Sequence, residues 1–195
     1  IVLNGDSANN LAATALVTNA YLYTGDEKYK RWVLEYVEAW MDRIEKNGGI
    51  LPDNVGPTGK IGENREGQWW GGLYGWNHYQ GFNIIFHGLT VAAECALLLT
   101  GDYGYLNLLR SQIKVLLENS VTREDGQLLV PTRYGPKGWH EAAPMPFRFT
   151  GPQPMRMQEL AHLYHASMSD EDYELIVQVR DAEIDRDWNA VPSEG

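Results

Sequence analysis

The sequence is poor in cysteine and in positive charge. Its 195 residues include one cysteine, Cys95, which excludes an intrachain disulfide and any zinc site built from several cysteines. Lys and Arg total 16 against 26 for Asp and Glu, which gives a formal net charge of −10. Without a basic stripe, this balance argues against nucleic acid and against an anionic membrane surface as partners. No run of 18 apolar residues is present, so no membrane span is predicted.

Proline is absent before Pro52 and between Pro57 and Pro131. Because proline and glycine break helices, the proline-free stretches are predicted to be mainly helical, and residues 47–80 and 120–152 are predicted to be long loops. Apolar residues at helical spacing predict six helices, over 7–24, 26–46, 82–99, 103–119, 153–168 and 171–188. A short strand is predicted within the second loop, over residues 127–132.

An internal repeat groups the helices in pairs. Residues 20–29 (AYLYTGDEKY) and 96–105 (ALLLTGDYGY) match at an offset of 76, and 165–173 (HASMSDEDY) is a degraded third copy. In the first two copies, glycine suits the end of one helix and aspartate caps the next. The predicted fold is one all-α domain of consecutive αα-hairpins, with the long loops at one end. Three hairpins leave open helix faces, so the rest of the same polypeptide or a second chain is expected to complete the fold.

The first long loop carries the residues of most chemical interest. Its aromatic rings lie among glycines, which suits stacking on the apolar face of a sugar. The candidate sugar-contacting residues are Trp69, Trp70, Tyr74, Trp76 and Asn77. Glycosidases need two carboxyl groups, and the candidates in this loop are Asp53, Glu63 and Glu66. The alternative is that the aromatic residues close the end of the helical stack and the carboxylates are merely solvated.

Histidines flank or interrupt the predicted helices. His78 precedes a buried helix, whose dipole favours a neutral imidazole that acts as a base. The alternative is a histidine that hydrogen-bonds the loop. His87 lies in an apolar helix and is predicted to be a core residue. Glu159 and His162 match half of a di-iron signature, but no second copy exists, so an ordinary helix face is predicted, with no metal or cofactor.

The second long loop supplies further candidates for substrate contact. These are Arg133, Tyr134, His140 and Arg148. Arginine binds a carboxylate through two parallel hydrogen bonds, which would suit a sugar that carries a uronic acid. The alternative for both arginines is pairing with acidic residues elsewhere on this acidic chain.

The TGD turns, the GGILPDN segment at 48–54 and the WWGGLYGW segment at 69–76 resemble the six-hairpin (α/α)6-toroid enzymes. That superfamily holds glycoside hydrolases and polysaccharide lyases. The resemblance implies part of an (α/α)6 toroid, with the active site at the long-loop end and carboxylates as acid and base. It implies a glycoside hydrolase without a cofactor, acting on a polysaccharide or oligosaccharide, with uronic-acid sugars included. A full toroid is about twice as long, so some catalytic residues would lie outside this sequence.

Two other functions remain open. A polysaccharide lyase on the same scaffold would use His78 or Tyr74 to abstract the C5 proton, while Asn77 and Arg148 neutralise the uronate carboxyl group. A non-catalytic αα-solenoid would bind a sugar or a partner without turnover. A polysaccharide substrate would favour a periplasmic or extracellular location.

Overall fold

The computed structural model describes residues 5–78, 81–124, 128–144 and 158–181. Its α-helices are α1 (Thr14–Thr24), α2 (Glu27–Lys46), α3 (Gly81–Thr100), α4 (Asn107–Glu118), α5 (Gln158–Ser167) and α6 (Asp170–Asp181). Short 3-10 helices lead into α1 (Ala8–Ala13) and α4 (Tyr103–Leu106). The strands are β1 (Val121–Thr122), β2 (Leu128–Gly135) and β3 (Gly138–Pro144). Each of the six predicted helices therefore corresponds to an observed one, although residues 153–157 and 182–188 of the last two predictions lie outside the described residues.

Helix α3 lies at the centre of the fold. It contacts α1 and α5 and also packs against α2 and α4. This position explains why α3 is apolar on nearly all sides, with Ile85, Phe86 and Leu89 buried. By length and composition, α3 is the one helix in the described ranges that could cross a membrane, and 56% of its most apolar window is buried within the structure. The amphipathic helices α2 and α4 contribute Val37, Trp40 and Ile113 among other residues to the same core.

The hairpin turns confirm the internal repeat. Gly25 and Gly101 adopt left-handed φ values of 68° and 72°, as expected for glycines that end a helix. Asp26 and Asp102 follow them, and each accepts a hydrogen bond from a backbone N–H two residues later. In the third copy, Met168 takes the left-handed position with φ 52°. The three short turns thus share one backbone geometry in spite of the changed residue.

The prediction of an all-α fold, and with it of part of an (α/α)6 toroid, is wrong. The second long connection contains an antiparallel sheet in the order β1-β2-β3. Strands β2 and β3 form a hairpin in which Gly135 pairs with Gly138 and Tyr134 pairs with Trp139. The strands satisfy each other's backbone N–H and C=O groups, and the paired rings pack against the core. The short strand predicted over 127–132 corresponds to β2, which continues to Gly135.

Candidate active site

Asp53 organises the first long loop. It is almost completely buried, at 2% exposure. Its Oδ1 accepts a hydrogen bond from the Gly72 N–H at 2.8 Å, and its Oδ2 accepts one from the Trp76 N–H. The Asp53 N–H in turn donates to the Trp69 carbonyl at 2.9 Å. Segment 69–76 therefore wraps around this carboxylate, and both carboxyl oxygens are occupied in holding it.

The glycines of this segment permit its close approach to Asp53. A Cβ at Gly75 would lie 2.0 Å from Asp53 Oδ2, and one at Gly72 would lie 1.9 Å from the Asp53 carbonyl oxygen. Burial raises the pKa of the Asp53 carboxyl group, and hydrogen bonds from the backbone N–H groups of Gly72 and Trp76 oppose this shift only in part. Gly72 and Gly75 thus allow the backbone to pack tightly around a carboxylate, in addition to any flexibility that they give to the aromatic segment.

The aromatic residues of the two long connections divide into a buried and an accessible set. Trp76 is fully buried, and its ring lies edge-on to Trp139 with centroids 5.2 Å apart. Trp69 and Trp70 are half-buried and tilt against the Tyr134 ring, at centroid distances of 4.4 and 6.2 Å. Trp76 therefore offers no face to a ligand in this arrangement. We call Trp69, Trp70 and Tyr134 the aromatic surface.

Tyr74 and His78 form a pair just before α3. The Tyr74 side chain is exposed and lies edge-on to the His78 ring, with centroids 5.1 Å apart. Tyr74 has φ 55°, a left-handed conformation that costs free energy for a residue other than glycine. Asn77, between them in sequence, is exposed. Two of the predicted proton-transfer groups are thus adjacent on a constrained backbone.

The other two predicted catalytic carboxylates have different environments. Glu63 accepts hydrogen bonds from the Thr58 N–H at 3.0 Å and from the Thr58 hydroxyl at 2.9 Å, so it holds its own loop together. Glu66 is exposed and lies in a turn with φ 54°. Of the three predicted carboxylates, Glu66 is therefore the one that solvent reaches most freely.

The sheet brings one of the second group of candidates, Tyr134, to the first loop. The Tyr134 N–H donates to the Trp76 carbonyl at 3.2 Å, which ties β2 to segment 69–76. Arg133 is half-buried and pairs across the sheet with the exposed His140. The His140 Nδ1 lies 3.2 Å from the Gly138 carbonyl oxygen. Arg148 lies outside the described residues.

A further polar group lies where α5 packs against α3. His162 Nδ1 of α5 lies 2.8 Å from Glu94 Oε1 of α3, and the two side chains are 44% and 39% exposed. Burial raises the pKa of Glu159, although the charges of His162 and His87 act to lower it. We call these four residues (His87, Glu94, Glu159 and His162) the seam cluster. His87 is exposed, so its prediction as a core residue is wrong.

The seam cluster is visible in the sequence only as the spacing of its residues along each helix. His87 and Glu94 are seven residues apart, and Glu159 and His162 are three apart, so each pair shares one helix face. Each helix shows only its own pair of residues in the sequence. The contact between the pairs is not visible there, because α3 and α5 are distant in sequence. In the described ranges, no group of three or more His, Cys, Asp or Glu residues is placed to hold a metal ion.

Comparison with known proteins gives a family but no characterised relative. No curated protein and no solved structure matches the chain. One family model, described as a domain of unknown function (DUF8034), matches residues 2–194. Because this match spans nearly the whole sequence, the chain belongs to the DUF8034 family.

Proposed function

We propose that this protein is a glycoside hydrolase that binds its substrate at the aromatic surface. The observation that carries the proposal is the cluster of half-buried rings (Trp69, Trp70 and Tyr134). Flat aromatic faces stack on the apolar faces of sugar rings, and a fixed backbone lowers the entropic cost of binding. The Asp53 carboxylate and the β2 hydrogen bond to Trp76 supply that fixed backbone.

The chemistry of glycoside hydrolysis requires carboxyl groups in different protonation states. One carboxyl group protonates the leaving oxygen, and a second group activates water or attacks the sugar. Glu66 is exposed and is the candidate for the second role, whereas Asp53 and Glu63 use their oxygens within the loop.

The test is turnover of a panel of neutral and uronic-acid oligosaccharides, measured as new reducing ends. Trp70→Ala removes one face of the aromatic surface and is expected to raise KM or Kd two- to tenfold, on the order of 0.5–1.5 kcal/mol. Trp32→Ala is the matched control, because Trp32 is 42% exposed on α2 and stacks on Tyr36. Absence of turnover across the panel, or equal effects of the two variants, would contradict the proposal.

A polysaccharide lyase is the second candidate, and the Tyr74–His78 pair favours it. The accessible phenol lies edge-on to the imidazole at 5.1 Å, which suits removal of a proton beside a uronate carboxyl group. A lyase makes an unsaturated uronate that absorbs at about 235 nm, whereas a hydrolase makes reducing ends without this absorbance. Recording both signals on one uronic-acid substrate therefore separates the two functions.

A further inference from the structure

We infer that the outer face of α1 is the contact surface of a symmetric dimer, in which it packs against α1 of a second copy of this chain. The face consists of Leu16, Ala20 and Tyr23, and we call these residues the α1 face. They are four and three residues apart, so they lie on one side of the helix. The inference stands apart from the proposed function, because it involves neither the long loops nor a glycan.

The α1 face is apolar and open to solvent. Leu16 and Tyr23 are 74% and 93% exposed, and Ala20 between them is partly exposed. Single exposed apolar residues are common on monomeric proteins, whereas a contiguous apolar row marks an interaction surface. Removal of this row from water would favour association.

The internal repeat shows which kind of element covers such a face. At the repeat offset of 76, the α1 face corresponds to three residues of α3, which are Ala92, Ala96 and Leu99. All three are buried. One turn before them, a Cβ placed on Gly88 would lie 3.5 Å from the Leu11 Cβ, in the helical segment that leads into α1. A helix therefore covers this face in the second repeat, and a helix is the element that fits the corresponding face in the first.

The charge of the chain selects a second copy as the occupant. The formal net charge is −10, yet residues 7–24 contain no Asp, Glu, Lys, Arg or His. Of the six α-helices that the structure describes, α1 alone carries no charged residue. Two acidic copies repel each other least where neither brings a charge to the contact. A basic partner would instead be attracted to an acidic face, such as that of Glu35 and Glu38 on α2.

The arrangement of side chains on α1 suits two-fold symmetry. A two-fold axis brings the same residues of both copies together. When two antiparallel α1 helices cross near Leu16, each Leu16 packs against its equivalent in the other copy. Ala13 lies one turn before Leu16 and Ala20 one turn after it, and their small side chains let the helix axes approach to about 8 Å. The contact thus buries the exposed leucine of both copies without burying a charge.

The deciding experiment measures the mass of the full chain in solution, by light scattering and sedimentation velocity, from about 1 to 200 µM. The wild-type protein is expected to show twice the 22.0 kDa mass of one chain. Leu16→Glu places two like charges at the two-fold axis and is expected to raise the dimer Kd by about a hundredfold or more. Leu98→Glu is the matched control, because Leu98 is an equally accessible helical leucine, 65% exposed, outside the α1 face. It should leave the dimer intact.

Two further measurements separate lost association from lost folding. Because Leu16 is exposed, the far-UV circular dichroism spectrum of Leu16→Glu should match that of the wild type. Leu16→Cys, in a Cys95→Ser background, should form a disulfide-linked dimer on mild oxidation, since the two-fold contact brings the two thiols within reach of each other. Leu98→Cys in the same background should remain uncrosslinked.

The outcomes decide for or against the α1 contact. Loss of the dimer in Leu16→Glu alone, together with cross-linking through Leu16→Cys, supports the inference. A wild-type protein that stays monomeric over the whole concentration range overturns it and leaves the α1 face to a different partner. A dimer that tolerates Leu16→Glu, or that Leu98→Glu weakens equally, also overturns it, because the contact then lies elsewhere. None of these results depends on glycan turnover, so they are distinct from the test of the proposed function.

Discussion

Two buried aspartates, one at each end of the molecule, are held in opposite ways. Asp172, near the short turns, receives two parallel hydrogen bonds from the Arg110 guanidinium, at 2.6 and 2.8 Å. Asp53, in the long loop, receives its hydrogen bonds from the backbone N–H groups of segment 69–76. The Asp172 carboxylate has a charged partner and connects two helices. The Asp53 carboxylate is held by backbone N–H dipoles and connects two parts of one loop.

The pKa values of the two aspartates show what this difference means. Burial acts to raise the pKa of Asp172, but the hydrogen bonds from Arg110 and Ser167 and the charge of Arg110 together hold it below the ordinary value. Burial raises the pKa of Asp53, and its backbone partners do not reverse the shift. The turn end is therefore stabilised by an ion pair that persists at neutral pH. The loop end instead bears a carboxylate whose ionisation is opposed by its surroundings.

The largest effect is expected from breaking the ion pair. Asp172→Ala removes the partner that binds Arg110 through two hydrogen bonds. It leaves the guanidinium, whose side chain is 11% exposed, in a largely dry environment with the Glu171 carboxylate 4.0 Å away. We expect the free energy of unfolding to fall by about 3–5 kcal/mol in chemical denaturation. Glu171→Gln is the control, because its bridge to Lys114 is exposed and its contact with Arg110 is long, at 4.0 Å, so the change should cost less than about 1 kcal/mol. Equal losses in the two variants would remove the distinction between a buried and a surface pair.

A smaller effect is expected at the loop end from a single added carbon. Gly75→Ala places a Cβ against the Asp53 carboxylate, so segment 69–76 must shift, at a cost of about 1–3 kcal/mol. Gly101→Ala meets nothing within 4 Å and bears only the strain of its left-handed φ, about 1 kcal/mol. Tryptophan fluorescence should change in Gly75→Ala, because the Trp76 N–H donates a hydrogen bond to Asp53. It should stay constant in Gly101→Ala. A constant spectrum in both variants would show that segment 69–76 accommodates the added Cβ without displacing Asp53.

The turn end was the more predictable of the two, for a local reason. In each TGD turn, glycine ends one helix and aspartate accepts a hydrogen bond from the backbone N–H two residues later. Both effects act within one turn of the chain, so the TGD sequence predicts the geometry of residues 24–26 and 100–102. The apolar spacing that predicted a helix over 26–46 likewise agrees with the buried face of α2, which includes Val33, Val37 and Trp40. These features depend on neighbours in sequence, and propensity and spacing describe such neighbours well.

The loop end depends on pairings that the sequence does not display. Strand β3 pairs with β2 through Tyr134 and Trp139, but Pro136 and Pro144 and the nearby glycines hide the alternation of a strand. Asp53 meets segment 69–76 from 16 to 23 residues away, and spacing alone cannot tell a structural carboxylate from a catalytic one. The contact between Glu94 and His162 spans 68 residues. Packing between distant segments decides each of these features, so the candidate site was predicted as a region rather than as an arrangement.

The smallest expected effect is at the third turn, where the repeat departs from its own pattern. Met168 occupies the left-handed position that glycine fills in the other two copies, with φ 52° and 68% of its surface exposed. A residue other than glycine bears about 1–2 kcal/mol of strain there, and glycine would lose about 0.5–1 kcal/mol through its greater freedom in the unfolded chain. Met168→Gly is therefore expected to raise the free energy of unfolding by a few tenths to about 1 kcal/mol in urea denaturation. Gly25→Ala, at the matching position of the first turn, should shift it by about 1 kcal/mol in the opposite direction. If Met168→Gly lowered stability instead, contacts of the exposed methionine would outweigh the backbone strain, and the third turn would differ from the other two in energy as well as in sequence.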